Sequence, residues 1–246
     1  QIWVSQGEWA PEWGEMGAAA RHSLEAGALG AAVVIGLTLP LAVLAVRHPG
    51  PLPRLATVTA YTGHALPGVV VGLALVFFGI RAAPAVYQRL PLLVLAYAVL
   101  FSSLALGALV ASLAQVPPAL EEVARTLGRG PFRAWAEVTA RLVAPGVGAA
   151  ATLVFLTIMK ELPATLFLRP TGYDTLATRL WDHTSSFSRS RAAPYAVAIV
   201  VLAALPAALL GTVGDARSRG AGGDARRSGR DAVRRSVSGV LGRVWP

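Results

Sequence analysis

The sequence predicts an all-α membrane protein, a helical bundle of five core transmembrane helices. Composition is the first observation: of 246 residues, 54% are hydrophobic and 14% are charged, against about 25% charged in an ordinary soluble domain. Placement of the charges is the second. Residues 26–46, 55–80, 90–120, 142–159 and 192–214 contain no Asp, Glu, Lys or Arg. A helix crosses the hydrocarbon core with about 20 mostly apolar residues, and these runs are 21, 26, 31, 18 and 23 residues long. They must be helices, because lipid offers no partner to a free backbone N–H or C=O.

The elements follow in chain order. Residues 1–24 form a polar external segment with Trp3, Trp9 and Trp13 and no apolar run of signal-peptide type. A transmembrane domain is expected over 25–212. His64, in "GHALPG" at the head of the second span, reads as a polar residue near the interface, and the run holds Gly68-Val-Val-Val-Gly72. That GxxxG spacing lets helices approach closely and is taken as packing only. The third run is longer than a span needs, so it leaves the membrane near Gln115, and Pro117 and Pro118 begin a new element.

The fourth run ends at Lys160 and Glu161, just before Pro163. Counted from Pro145, these charges lie about 15 residues, or roughly 22 Å, into the span. Ionisable groups at that depth are costly and either pair or face a cavity. Two readings weigh evenly: a gate or pathway-lining pair beside a helix broken at Pro163, or a salt bridge that ends the span at the interface. The fifth run leads into residues 213–246, with eight Arg and three Asp among Gly and Ser. This reads as a disordered basic tail. Beside a span, a basic tail matches anionic lipid at the cytoplasmic face better than nucleic acid.

Orientation follows from the basic residues. With the N-terminus outside and the C-terminus inside, 14 of the 22 Lys and Arg fall on cytoplasmic segments, as the positive-inside rule requires. A multi-pass protein of the inner (plasma) membrane results.

Several chemistries are excluded. With no cysteine, zinc-thiolate sites and thiol catalysis are absent. His22, His48, His64 and His183 are scattered without metal-ligand spacing, and no HExxH or GxSxG occurs. A P-loop needs GxxxxGK[ST], yet the one lysine, Lys160, stands between Met159 and Glu161. The chain is therefore expected to be no enzyme and to bind no ATP through a P-loop of its own; energised work would need another chain.

The most polar internal stretch is the loop 118–141. Pro118 suits a first helical turn. Leu120, Val123, Ala124 and Leu127 share one face, and Glu121 and Arg125 are four apart in the favourable order. Gly128 sits where a glycine ends a helix, and Pro131 starts another. Phe132, Trp135, Ala136 and Thr139 form its apolar face, with Arg133, Glu137 and Arg141 opposite. Periodicity alone describes two amphipathic helices lying on the cytoplasmic membrane surface, more simply a cap on the bundle than a site, since amphipathicity names no partner.

The segment "EEVARTLGRGPFRAWAEVTARLVAPG" resembles the EAA loop of the permeases of binding-protein-dependent ABC importers. Glu122, Val123 and Ala124 match its Glu-Ala-Ala, Gly128 its glycine, and Val138 its Ile or Val position; Ala140-Arg141 stands where the pattern has Leu-Pro. The resemblance covers roughly residues 20–212. "GHALPGVVVGLALVFFG" is similar to the second core helix of such permeases, and "KELPATLFLRPTGYDTLATRLW" to their ferric-iron-type branch, whose relatives carry thiamine, phosphonates, sulfate or polyamines. Many of that branch are fused duplications, and a start at Gln1 fits a C-terminal half cut from one.

The resemblance implies a coupling-helix loop in which Glu122, Ala124, Gly128 and Val138 meet a cytoplasmic ATPase dimer that binds the ATP. It implies a second permease half, an extracytoplasmic substrate-binding protein, and ferric iron as the first-choice cargo. The rival of another class is an ATP-independent secondary transporter or channel.

Overall fold

The computed structural model describes residues 13–186 and 190–208, apart from residue 205 and the side chain of His64. The expectations for residues 1–12, the His64 side chain and the tail 213–246 lie outside the described residues. The chain divides into two units, 1–203 and 204–246, and the account below is of the first. Its elements are α1 (Trp13–Arg47), α2 (Pro51–His64), α3 (Gly68–Arg81), α4 (Leu90–Ala114), α5 (Ala119–Thr126), α6 (Pro131–Ala134), a π-helical turn (Trp135–Thr139), α7 (Ala140–Met159), α8 (Pro163–Leu168) and α9 (Leu176–Ser185). A further helix, α10, covers Ser190–Ala208.

α4 is the axis of the bundle. It is apolar on every side, as a central helix must be, and buries Leu92, Leu93, Tyr97, Leu106, Leu109 and Leu113. α1 packs against α4 and α7 through small residues, including Ala26, Gly27, Gly30 and Ala31, while Leu29, Val33, Leu37 and Leu44 point outward. Small residues inside and large apolar residues outside are the arrangement of a lipid-embedded bundle, where close backbone approach drives helix association. α7 closes the core with Val143, Ala150, Val154 and Ile158. A second cluster, with Ala19, Leu176 and Tyr195 at its centre, joins α1, α9 and α10.

Four described helices, α1, α4, the rod 131–159 and α10, are long and apolar enough to cross a membrane. The expected second span is not one straight helix: α2 and α3 meet at an angle of 104°, so five spans are reached only by counting this bent pair as one. Pro67 is the physical cause. It has no N–H to continue the helix and disfavours helical backbone at the preceding residue; its own ψ is 139°. The chain closes α2 with short turns from Ala65 to Thr62 and from Leu66 to Gly63. Gly68 and Gly72 then let α8 lie on α3: a Cβ on Gly72 would stand 3.4 Å from the Cα of Ala164.

The two ends of α1 mark the height of the bundle. His22 donates from Nδ1 to the carbonyl of Asp174, and Tyr173 donates to the carbonyl of His22. Burial pushes the Tyr173 phenol above its ordinary range, which keeps it a donor. Arg47 closes the opposite end. The 25 helical steps from His22 to Arg47 correspond to about 37 Å of helix, a little more than the hydrocarbon thickness.

Candidate functional site: the loop between α4 and α7

α4 ends at Ala114, and the prolines at 117 and 118 prevent its continuation; Pro118 caps α5. At the other end, Gly128 has φ +81°. The Arg129 N–H reaches the Ala124 carbonyl at 3.3 Å and the Gly128 N–H reaches that of Arg125 at 3.0 Å. This pair of bonds is the Schellman arrangement, and it needs a left-handed residue after the cap. The glycine therefore sets the direction in which the chain leaves α5.

Among the described residues, little packs on the apolar face of α5. Only Ala124 is buried; Leu120, Val123 and Leu127 are exposed, Leu127 at 77% and the neighbouring Phe132 at 80%. Glu122 and Arg125 are exposed beside them, and Val138 is half-buried. Among the described residues, this loop thus presents Leu120, Val123, Leu127 and Phe132 as an apolar crest with an adjacent carboxylate.

Three expectations for the loop need correction. Glu121 does not pair with Arg125; its carboxylate meets Arg47 at 3.2 Å and accepts a hydrogen bond from Thr139. The second amphipathic helix is not a separate element, because α6 runs through the π turn into α7 as one rod, 131–159. Arg141, unlike a proline, keeps its N–H, so the helix continues there, and the irregularity appears instead as the π turn at 135–139. The face Phe132–Trp135–Ala136–Thr139 is split accordingly: Phe132 is exposed and Thr139 fully buried. Arg133 does meet Glu137, at 2.9 Å, and Arg129 pairs with the same carboxylate.

The second group of candidates lies at the end of α7. Lys160 caps the helix and is exposed. Glu161 is half-buried, its Oε1 accepts the Ala164 N–H at 3.1 Å, and its carbonyl accepts the Thr165 hydroxyl at 2.9 Å. Pro163 begins α8, so the helix is broken there. No ion pair joins Lys160 to Glu161 among the described residues. Glu161 also stands beside the α2–α3 break: a Cβ on Gly68 would lie 2.8 Å from its Oε1. Nothing in the local sequence pattern signals that these two breaks meet. Deeper in, the hydroxyls of Tyr97 and Thr165 are 2.8 Å apart and buried.

The Asp-Thr-Leu-Ala segment is structural throughout. Asp174 binds Arg169 and, at 3.0 Å, Arg179; Arg179 also reaches Glu15 at 3.2 Å. Thr175 and Thr178 form a reciprocal cap on α9. The Leu176 N–H donates to Ser23 at 2.8 Å. No group of three or more His, Asp or Glu placed to hold a metal ion occurs among the described residues.

A bundle of long apolar helices, with one polar loop stitched to one end and two broken helices near the other, fits a membrane transport component. The sequence comparisons agree. Residues 32–217 match the family described as binding-protein-dependent transport system inner membrane component, and the chain belongs to that family. It is 38% identical over 203 residues to the Fe(3+)-transport system permease protein FbpB 2 of Haemophilus influenzae, covering 82% of this chain and 40% of that protein. It is 34% identical over 145 residues to a putative ABC transporter permease protein of Streptomyces antibioticus (58% and 62%). It is 29% identical over 150 residues to a putative 2-aminoethylphosphonate transport system permease protein, PhnV, of Salmonella typhimurium (61% and 56%). The chain thus spans less than two thirds of the length of each of these relatives.

Proposed function

We propose that this chain forms half of the translocation pathway of an ABC importer, with ferric iron as its cargo, and that loop 118–141 docks on a separate cytoplasmic ATPase. The observation that carries this reading is the exposed crest Leu120, Val123, Leu127 and Phe132, set beside Glu122 and aimed by the left-handed Gly128. Such a crest suits a groove on a partner protein: burying one large apolar side chain contributes about 1.5–3 kcal/mol, and a few anchors of this kind dominate an interface.

In this reading Glu122, Ala124, Gly128 and Val138 form or support the ATPase contact. ATP is bound and hydrolysed by an ATPase dimer, a second permease half completes the pathway, and an extracytoplasmic binding protein delivers the cargo. The N-terminus lies outside and the C-terminal tail inside, near lipid headgroups. Lys160, Glu161 and Pro163 act as gate or pathway residues, because two helix breaks that adjoin can change their angle together with little loss of helical bonding. Support for iron is the 38% identity to a permease named for Fe(3+) transport; 2-aminoethylphosphonate is the alternative cargo suggested by the more distant relative.

The test is reconstitution with the partner ATPase and binding protein. Gly128→Arg should abolish ATPase capture and ATP-dependent uptake, and Glu161→Gln should lower uptake while capture persists. Normal assembly and transport by Gly128→Arg would remove the docking assignment. Uptake driven by an ion gradient without ATP would favour a secondary transporter. Competition of labelled ferric iron uptake by 2-aminoethylphosphonate, or its absence, separates the two cargoes.

A further inference from the structure

Glu121 is adjacent to Glu122 but faces the other way, into the bundle. Its Oε1 lies 3.2 Å from Arg47 Nη2 and accepts the Thr139 hydroxyl. Arg47 ends α1, Glu121 lies in the first turn of α5, and Thr139 ends the π turn that leads into α7. One carboxylate oxygen therefore joins three elements. The site is largely withdrawn from water: the side chains of Arg47 and Glu121 are 11% and 21% exposed, and Thr139 is fully buried. Among the described residues, Arg47 Nε and Nη2 have no hydrogen-bond partner, and the contact of Nη2 with Glu121 is a charge contact, so the carboxylate is what offsets the burial of the guanidinium.

Packing cannot replace this stitch. α5 buries only Ala124, so apolar contact contributes little to holding it on the bundle. Beside the stitch lies an apolar cavity of about 240 Å³ lined by Leu39, Leu113, Trp135, Thr139, Val143 and Val147, among others. Side chains next to such a space can shift without displacing neighbours, whereas a close-packed interior transmits strain directly. The π turn forms one wall, and a turn of that kind holds an extra residue that can be taken up or released. A displacement of α5 would be absorbed there unless a polar contact carried it onward.

We propose that Glu121 is the positioning residue that delivers movement of α5 to α1 and α7 together, through Arg47 and Thr139. The proposal rests on the docking role of the loop. It assigns the paired carboxylates opposite tasks: Glu122 faces the partner, and Glu121 ties the docked helix to the spans.

The experiment uses the complete importer in lipid. ATPase capture is measured beside ATP hydrolysis stimulated by the loaded binding protein, and beside uptake. For Glu121→Gln and Thr139→Val, capture should stay within about twofold, since neither side chain is on the crest, while stimulated hydrolysis and uptake fall by about tenfold. Thr139→Ser, which keeps the hydroxyl, should behave as the unaltered chain. The exchange R47E/E121R should recover at least part of the stimulation lost in each single variant. Thr139→Val protects the test if Glu121→Gln does not assemble. Full stimulation and uptake in both Glu121→Gln and Thr139→Val would overturn the tether and leave the docking role standing. Loss of capture in step with loss of stimulation would also overturn it, by making Glu121 part of the docking surface or of the fold. An unaltered chain that captures no ATPase would remove both readings.

Discussion

Gly128 has φ +81° and nothing within 4 Å of where a Cβ would sit, so conformation alone, not crowding, requires glycine. Replacing it with Ala places a side chain in the left-handed region at about 1–2 kcal/mol. Gly128→Ala should therefore fray the end of α5, seen as faster hydrogen exchange at Leu127, Gly128 and Arg129, while Gly128→Asn should be milder because Asn tolerates that region. Unchanged exchange in Gly128→Ala would mean that the loop redirects the chain by other means. This residue was legible in the sequence because its role depends on neighbours within five positions. Glu121 was not: the local rule pairs it with Arg125, whereas its partners are 74 positions before and 18 after. An exposed pair at helical spacing contributes only about 0.3–0.5 kcal/mol, too little to hold a carboxylate against a half-buried guanidinium and a buried hydroxyl.

At the scale of elements, helices were visible wherever apolar length decided them, and breaks were misplaced wherever one residue did. The run 55–80 carries Pro67 and Gly68 inside it, and hydropathy alone merges α2 and α3 across them. The π turn at 135–139 has no composition signal; Thr139 at its end meets Glu121 of α5, 18 positions earlier. The cap of α9 is easier to isolate. Thr175 Oγ1 accepts the Thr178 N–H at 3.3 Å, and Thr178 Oγ1 accepts the Thr175 N–H at 2.9 Å. Loss of an N-cap costs about 1 kcal/mol. Thr175→Val keeps the shape and removes the acceptor, so protease cleavage within 176–186 should rise several-fold, with little change in cleavage within α5. Equal protection in the variant would show that Asp174 and Leu176 hold α9 without the cap.

For the whole molecule, the sequence marks which segments are long and apolar but not which faces meet, since small and large apolar residues look alike to hydropathy. The bundle separates them. A Cβ on Gly30 would stand 2.6 Å from Ile158 and 3.0 Å from Tyr97, whereas Leu29 is 44% exposed. Gly30→Leu overpacks the α1–α4–α7 contact at about 1–3 kcal/mol or more and should lower the unfolding temperature in detergent. Leu29→Ala should leave it nearly unchanged; the reverse order would invalidate the packing of α1.

The orientation of the whole molecule has a clean test because the chain contains no cysteine. Thr171 and Leu127 are both exposed, and Thr171 belongs to the end of the bundle where His22 meets Asp174, while Leu127 belongs to the end closed by Arg47. A membrane-impermeant thiol reagent should label Thr171→Cys in intact cells, and should label Leu127→Cys only after the membrane is opened. Eight of the 14 inward basic residues lie in the tail, so the tail dominates the charge asymmetry behind this expectation. The consequence of the opposite result is sharp. Labelling of Leu127→Cys from outside would place the apolar crest and Gly128 in a compartment away from cytoplasmic ATP, where no ATPase could dock on them, and would turn the Glu161–Gly68 break toward the cytoplasm. The docking role and the tether through Glu121 would then both fall to a single labelling experiment, without any need to know the cargo.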